Sequence, residues 1–484
     1  MTIQNVSVFR YTDGGMTQAG ATTGRMSGTA GDRLGLLNSI LRDGYNWQEV
    51  TNANLTQTGN VATLSLTGHG FNIDQRLWIV GMDQSGYLNG TTYGDTVYPT
   101  AIVDGSTLTF AVTGNPTSPV TTGGGAGGTT TTLNGAISST TATSITVTDG
   151  VTHYPGSIVF VIKIDSEYML VTGGQGTNTW TVVRGWAAST AATHSNGATV
   201  TQKVMVGVAP AGGFNHWTTD FTTTNKSTYR SASGNRFFLE LDDTNTTYGL
   251  IRGYETYTGP SWGSGQGPAF PTTGQVASGS TYFCSSNTAS TASRPWAAIA
   301  TDRFVIVWTD AAGAIINQTA TCGGMFFGDL IDQTKSGDGY ATLLIHGSNA
   351  AAASDGVLCS ASVGTALNGH YLCRSYTQTG GSQTAAKAAI DSRQGTQNWL
   401  GAGGLAYPHG PDGAIYLSKV YASEGSAVCR GTIPGFWAPL HNQPIQTFDT
   451  FTGTGTLAGK KFIALKGYST AEVCLEISNT IPTA

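Results

Sequence analysis

Short apolar–polar alternations, each cut off by glycine, aspartate or asparagine, run through this chain from about residue 61 to its end. Alternation with a period of two puts successive side chains on opposite faces of an extended strand. Glycine fills 67 of the 484 positions, about twice the usual share of roughly 7%. It supplies the positive-φ positions that tight turns need. The polar bulk is threonine, serine, asparagine and glutamine. Threonine suits a pleated, half-buried surface because it branches at Cβ. Together these features predict many short strands joined by many turns.

One stretch departs from this pattern. In "GTAGDRLGLLNSILRDGYNW", Leu34, Leu37, Ile40 and Leu41 fall on one face at helical spacing. Asp32 suits the helix N-terminus as a cap and as an anion near the dipole, and Gly44 suits the position just past the C-terminus. The spacing predicts a helix over residues 32–43. Gly35 weakens it, so the apolar face must be docked on something.

The remaining organisation is read from strand runs. "VATLSL" (61–66), "QRLWIVG" (75–81), "TVYPTAIV" (96–103) and "STLTFAV" (106–112) form a first small β-module. It closes an N-terminal segment over 1–122. A Gly/Thr-rich linker covers 123–133, and a second small module covers 134–202. From 203 to 484 the strands are longer and more aromatic, as in "NRFFLELDD" (235–243), "DRFVIVWTD" (302–310) and "KKFIALKGY" (460–468). Loops of irregular length between strands, with few helix signals, suggest a sandwich. The expected fold is all-β: two small N-terminal β-modules with one short helix, followed by a larger β-sandwich-like domain. The long stretches 258–280 and 376–398 read as loops that could be contact surfaces.

Charge narrows the function. Charged residues are 11% of the chain and the net charge is −5, with no basic run. A nucleic-acid footprint is therefore not expected. The start "MTIQNVSVFRYTDGG" lacks the features of a signal peptide, and the longest apolar runs, such as 158–162, are too short to cross a bilayer. Six cysteines lie at 284, 322, 359, 373, 429 and 474, with no CxxC pair. Neither a zinc site nor any other metal or cofactor is expected, and buried thiols are expected over disulfides.

The candidate sites are few. His69, in "GHGF", could be catalytic or could sit in a bend between strands. Asp74 and Asp83 are near it in sequence, but both lie at turn positions where aspartate is ordinary. The flanking Gly68 and Gly70 favour the bend. "GPSWG" (259–263) matches a nucleophile elbow, yet Ser261 is followed by "GSGQGP", which cannot start the helix that the elbow requires. "GGGAGG" (123–128) opens no helix and reads as linker. "DDTNTTYG" (242–249) reads as a hairpin turn, because it lacks calcium-loop spacing. Trp262 and Trp296 lie in Gly/Pro-rich stretches. They are candidates for stacking on a host-surface glycan, against the plainer reading of core or interface packing. No catalytic residue is expected.

Several stretches taken together resemble the β-modules of tailed-phage tail, neck and fibre proteins. These are "GHGF" followed by a turn with "YLNG", and "ATSITVTDG…YPGSIVFVIKIDSEYMLVTG…WTVVRGWAASTAATHSNGATV" with its "RG…A..H..GA.V" ending. The order "SGTAGDRLGLLNSILRDGYN", "NKSTYRSASGNRFFLELDDTNTTYGLIRGYE" and "RGTIPGFWAPLH" resembles a set of uncharacterised phage and prophage virion proteins. The resemblance implies a non-enzymatic virion structural protein, made in the host cytoplasm, with sister copies and other phage structural proteins as partners. The expected place is the neck or tail, with the head surface or a receptor-binding fibre as alternatives. On this view the helix face of Leu34, Leu37, Ile40 and Leu41 docks to the particle, and a symmetric homo-oligomer follows from the repeated parts of a particle.

Overall fold

A computed structural model describes residues 2–10, 13, 30–50, 54–81, 96–112, 130–152, 159–212, 217–232, 237–246, 249–258, 269–270, 281–283, 296–309, 323–333, 338, 341–346, 370–376, 384–390, 405–406, 417–424, 428–439, 441–442, 448–466 and 472–483. The chain is all-β, with a single short helix and one 3-10 turn, Gly455–Leu457, among the described residues. It divides into two compact units. One comprises residues 13–16 and 44–209, and the other residues 1–12, 17–43 and 210–484.

The unit formed by 44–209 is built around one strand. Thr199–Val208 is ten residues long and pairs with different neighbours along its length. Its first half lies antiparallel to Phe160–Ile164 on one side and to Thr130–Thr132 on the other. Its second half lies antiparallel to Tyr45–Val50 and to Leu77–Val80. The two small modules expected from the sequence are thus joined in one nine-stranded sheet by a shared strand. The expected boundary at 202/203 falls inside that strand, and the end of the expected linker is itself the strand Thr130–Thr132. A local strand pattern shows where a strand runs but not which edges it serves.

A four-stranded sheet, in the order Leu55–Thr58, Val61–Ser65, Thr107–Ala111 and Pro99–Asp104, completes this unit. Its alternation is clean: Leu55, Ala62, Leu64, Leu108 and Phe110 are buried, while Thr56, Val61, Ser65 and Ala111 are exposed. In the second module Leu133, Ile145, Phe160, Ile162, Met169, Trp180 and Val200 form one apolar cluster, with Phe160 and Trp180 edge to face at 5.2 Å.

The other unit carries a six-stranded and a twelve-stranded antiparallel sheet. The larger sheet begins with Ser7–Arg10 on Trp296–Ala300 and ends with Lys461–Lys466 between Glu472–Glu476 and Thr450–Thr452. Val8, Ile299, Ile306 and Phe326 from its first strands share one core with Val420, Phe436, Ile463 and Leu475 from its last. The sheet therefore closes over its own apolar face, as the expected sandwich-like packing requires.

The segment expected over 1–122 is divided between the two units. Ser7–Arg10 completes an edge of the large sheet, and the helix belongs to the same unit. The helix starts and stops where the spacing predicts. It is α-helical over Asp32–Asn38 and π-helical over Ser39–Asp43, with Gly44 at φ +64°. The hydroxyl of Ser39 donates to the carbonyl of Gly35, a back-bond that competes with the regular ladder where the α-turns give way. Asp32 is not the cap. The cap comes from Asp243, whose Oδ2 accepts the backbone N–H of Arg33 at 2.8 Å and of Leu34 at 3.0 Å. Asp243 Oδ1 also pairs with the buried Arg33 guanidinium at 2.8 Å. The stretch 242–249 is the expected hairpin connection, between Phe238–Asp242 and Gly249–Tyr254.

Two of the expected loops contain strands, Ala269–Phe270 within 258–280 and Thr384–Ile390 within 376–398.

Candidate functional site

His69 sits in a bend. Gly68 and Gly70 on either side have φ of +67° and +65°, which only glycine adopts freely. The ring is buried. Its Nδ1 accepts the backbone N–H of Phe71 at 2.9 Å, which fixes the proton on Nε2, and Nε2 faces the carbonyl of Asp104 at 3.2 Å. The His69 carbonyl in turn accepts from the side-chain amides of Asn46 and Gln48. With both nitrogens facing backbone groups, the imidazole ties the bend together.

The other expected site residues divide into those placed and those not described. Leu34, Leu37, Ile40 and Leu41 are buried within the chain's own fold, at 8% exposure or less. Their helix face is core, which corrects the expectation that it is offered to a particle. Trp296 opens the strand Trp296–Ala300, every residue of which is buried. At 1% exposure it has no face for a sugar, so the packing reading holds and the stacking one does not. Trp262, Ser261, Asp83 and the glycine run 123–128 lie outside the described residues. Asp74 is buried. Three cysteines are described: Cys373 and Cys474 are buried thiols and Cys429 is a half-buried one. Burial pushes the Cys373 thiol up to about 12, which keeps it protonated and inert.

The densest polar constellation lies in the second module, where sequence reasoning did not look for one. Glu167, the first residue of the strand Glu167–Gly173, is fully buried and accepts five N–H groups. The Arg184 guanidinium grips it as a fork, with Nε to Oε1 and Nη2 to Oε2 both at 2.8 Å. The backbone N–H groups of Gly185 and Ala192 donate at 2.9 and 3.0 Å. His194 Nε2 lies 2.8 Å from Oε2, and its Nδ1 lies 2.8 Å from Oδ2 of the exposed Asp165. Arg184 also donates to the carbonyls of Ser139, Ala142 and Ala192.

Burial alone would raise the Glu167 carboxyl. The guanidinium and the other N–H donors outweigh it and hold the group down at about 2. Every donor of the fork is spent on this module, and neither oxygen of Glu167 is free to act on a substrate. The constellation is a clasp: it ties the strands at 167 and 184 to the segment 192–194, which itself pairs through the backbone with Ile137.

The signal for this clasp was present in "RG…A..H..GA.V". Arg184 is the fork and His194 bridges two carboxylates. Gly185 holds φ +60° so that its N–H reaches Glu167, and a Cβ there would press on the backbone of Ser189 and Ala191. Val200 is buried in the module's core. The spacing alone did not reveal that a glutamate seventeen residues before Arg184 is the common acceptor.

A second carboxyl has the opposite surroundings. Glu240 lies in Phe238–Asp242, beside Arg252 of Gly249–Tyr254 and Thr228 of Lys226–Ser231. It is 5% exposed, its Oε2 makes no hydrogen bond, and the Tyr254 hydroxyl stands 3.4 Å from Oε1. Burial pushes this carboxyl up to about 7.

Among the described residues no group of three or more His, Cys, Asp or Glu is arranged to hold a metal ion. Compared with known protein families and with curated proteins, the sequence matches none.

Proposed function

We propose that this chain is a non-enzymatic structural component of a tailed-bacteriophage particle, placed in its neck or tail region and assembled as a symmetric homo-oligomer. The observation that carries this reading is the Glu167 clasp. The residues by which the second module resembles phage β-modules, Arg184, Gly185 and His194 among them, are those that fasten its strands together. Their use is internal: they hold a small module in shape. An all-β chain with few charges also suits close packing of many copies, since few ions need be stripped of water at each contact. Sister copies and other virion proteins are the partners on this reading, and the virion is its location.

The test is mass spectrometry of purified particles from the phage or prophage that encodes the chain, paired with light scattering of the purified protein. The chain is expected in the particle, in several copies, and the free protein is expected at an integer multiple of the chain mass. Absence from particles would overturn the structural role.

A further inference from the structure

We propose that His194 donates from both ring nitrogens, to Glu167 and to Asp165, and so acts as a latch on the hairpin tip formed by Asp165 and Ser166. Two contacts carry this. Nε2 faces Glu167 and Nδ1 faces Asp165, each carboxylate oxygen at 2.8 Å. Both oxygens of Glu167 already receive N–H donors, so the carboxylate can only accept, and Nε2 must donate. A neutral imidazole would then present a bare lone pair to the Asp165 oxygen at 2.8 Å, where two acceptors repel. Two N–H groups facing two carboxylates remove that conflict.

The two contacts are not equivalent. The His194 side chain and Glu167 are buried, at 1% and 0% exposure, whereas Asp165 is 68% exposed. Asp165 sits at the turn between Phe160–Ile164 and Glu167–Gly173 with φ +51°, a left-handed conformation that aspartate tolerates at some cost. The charged groups around the ring are Asp165 from this turn, Glu167 from the strand that follows it and Arg184 from the neighbouring strand. The segment at Ile137 meets His194 through its backbone. Removal of the Asp165 carboxylate leaves the Glu167–Arg184 fork intact. The hairpin tip is then released while the module stays folded.

The test uses the full chain with nitrogen-15-labelled histidine, with the His194 signal assigned by its loss in His194→Gln. The His194 ring is expected to show two N–H groups. In Asp165→Asn, amide exchange at Ser166 and Glu167 is expected to rise roughly tenfold over the wild type, with the far-ultraviolet circular dichroism unchanged. That is the ratio given by losing one charge-assisted hydrogen bond of about 1.4 kcal/mol. A single ring N–H, tip exchange in Asp165→Asn equal to that of the wild type, or loss of the fold in that variant would each overturn the latch.

Discussion

Glu167 accepts five N–H groups in a buried clasp, whereas Glu240 is buried beside a tyrosine hydroxyl with one oxygen unbonded. Their contributions to stability therefore depend on pH with opposite sign. Glu167 is held at about 2 against an ordinary 4.5, so its contribution is complete above about pH 4.5 and is lost as the pH falls towards 2. Glu240 stands at about 7 against the same 4.5, so its contribution is complete below about pH 4.5 and is lost as the pH rises through 7. Denaturant titrations between pH 4 and 8 are expected to show wild type losing stability, relative to Glu240→Gln, as the pH rises. Parallel curves for the two proteins would contradict this. Arg184→Ala removes the fork and leaves Glu167 buried with only the N–H groups of Gly185, Ala192 and His194 facing it. The expected cost is about 3–5 kcal/mol, read as a lower denaturation midpoint. His69→Ala strips partners from the Phe71 amide and the Asp104 carbonyl, for an expected loss of about 1–3 kcal/mol.

The helix was legible because its apolar spacing is local. Its cap was not, because Asp243 lies 210 residues away from Arg33. Asp243→Ala removes the cap and strands a buried guanidinium, so thermal unfolding is expected to record a loss of about 3–5 kcal/mol, whereas Asp32→Ala leaves the Asp243 cap in place. Strands with plain alternation, such as Val61–Ser65 and Phe304–Thr309, fall where the sequence puts them. The longest described strand, Val428–Pro439, does not announce itself. Gly431, Pro434 and Gly435 interrupt its pattern, and its pairing with Leu417–Glu424 is broken by two register shifts. Trp296 misled for a related reason: "SRP" before it reads as loop, while the strand begins at the tryptophan itself. Punctuation residues mark where a strand can end, and tertiary packing decides whether it does.

At the scale of the molecule, the all-β class follows from composition and period, but the division into units does not. Residues 1–12 and 17–43 belong with 210–484 because Ser7–Arg10 pairs with Trp296–Ala300, a contact between segments with the whole of 44–209 between them in sequence. Likewise Thr199–Val208 makes one sheet of two modules that differ in sequence. A fragment of residues 44–209 is expected to unfold in a single cooperative transition, and one of residues 134–202, which cuts that strand, to be markedly less stable; circular dichroism against temperature compares them. The structural role itself is tested most directly by gold-labelled antibodies against the chain, applied to intact particles and viewed by negative-stain electron microscopy. The account predicts label confined to the neck or tail, in a symmetric cluster. Label spread over the head, or particles that carry none, would contradict it.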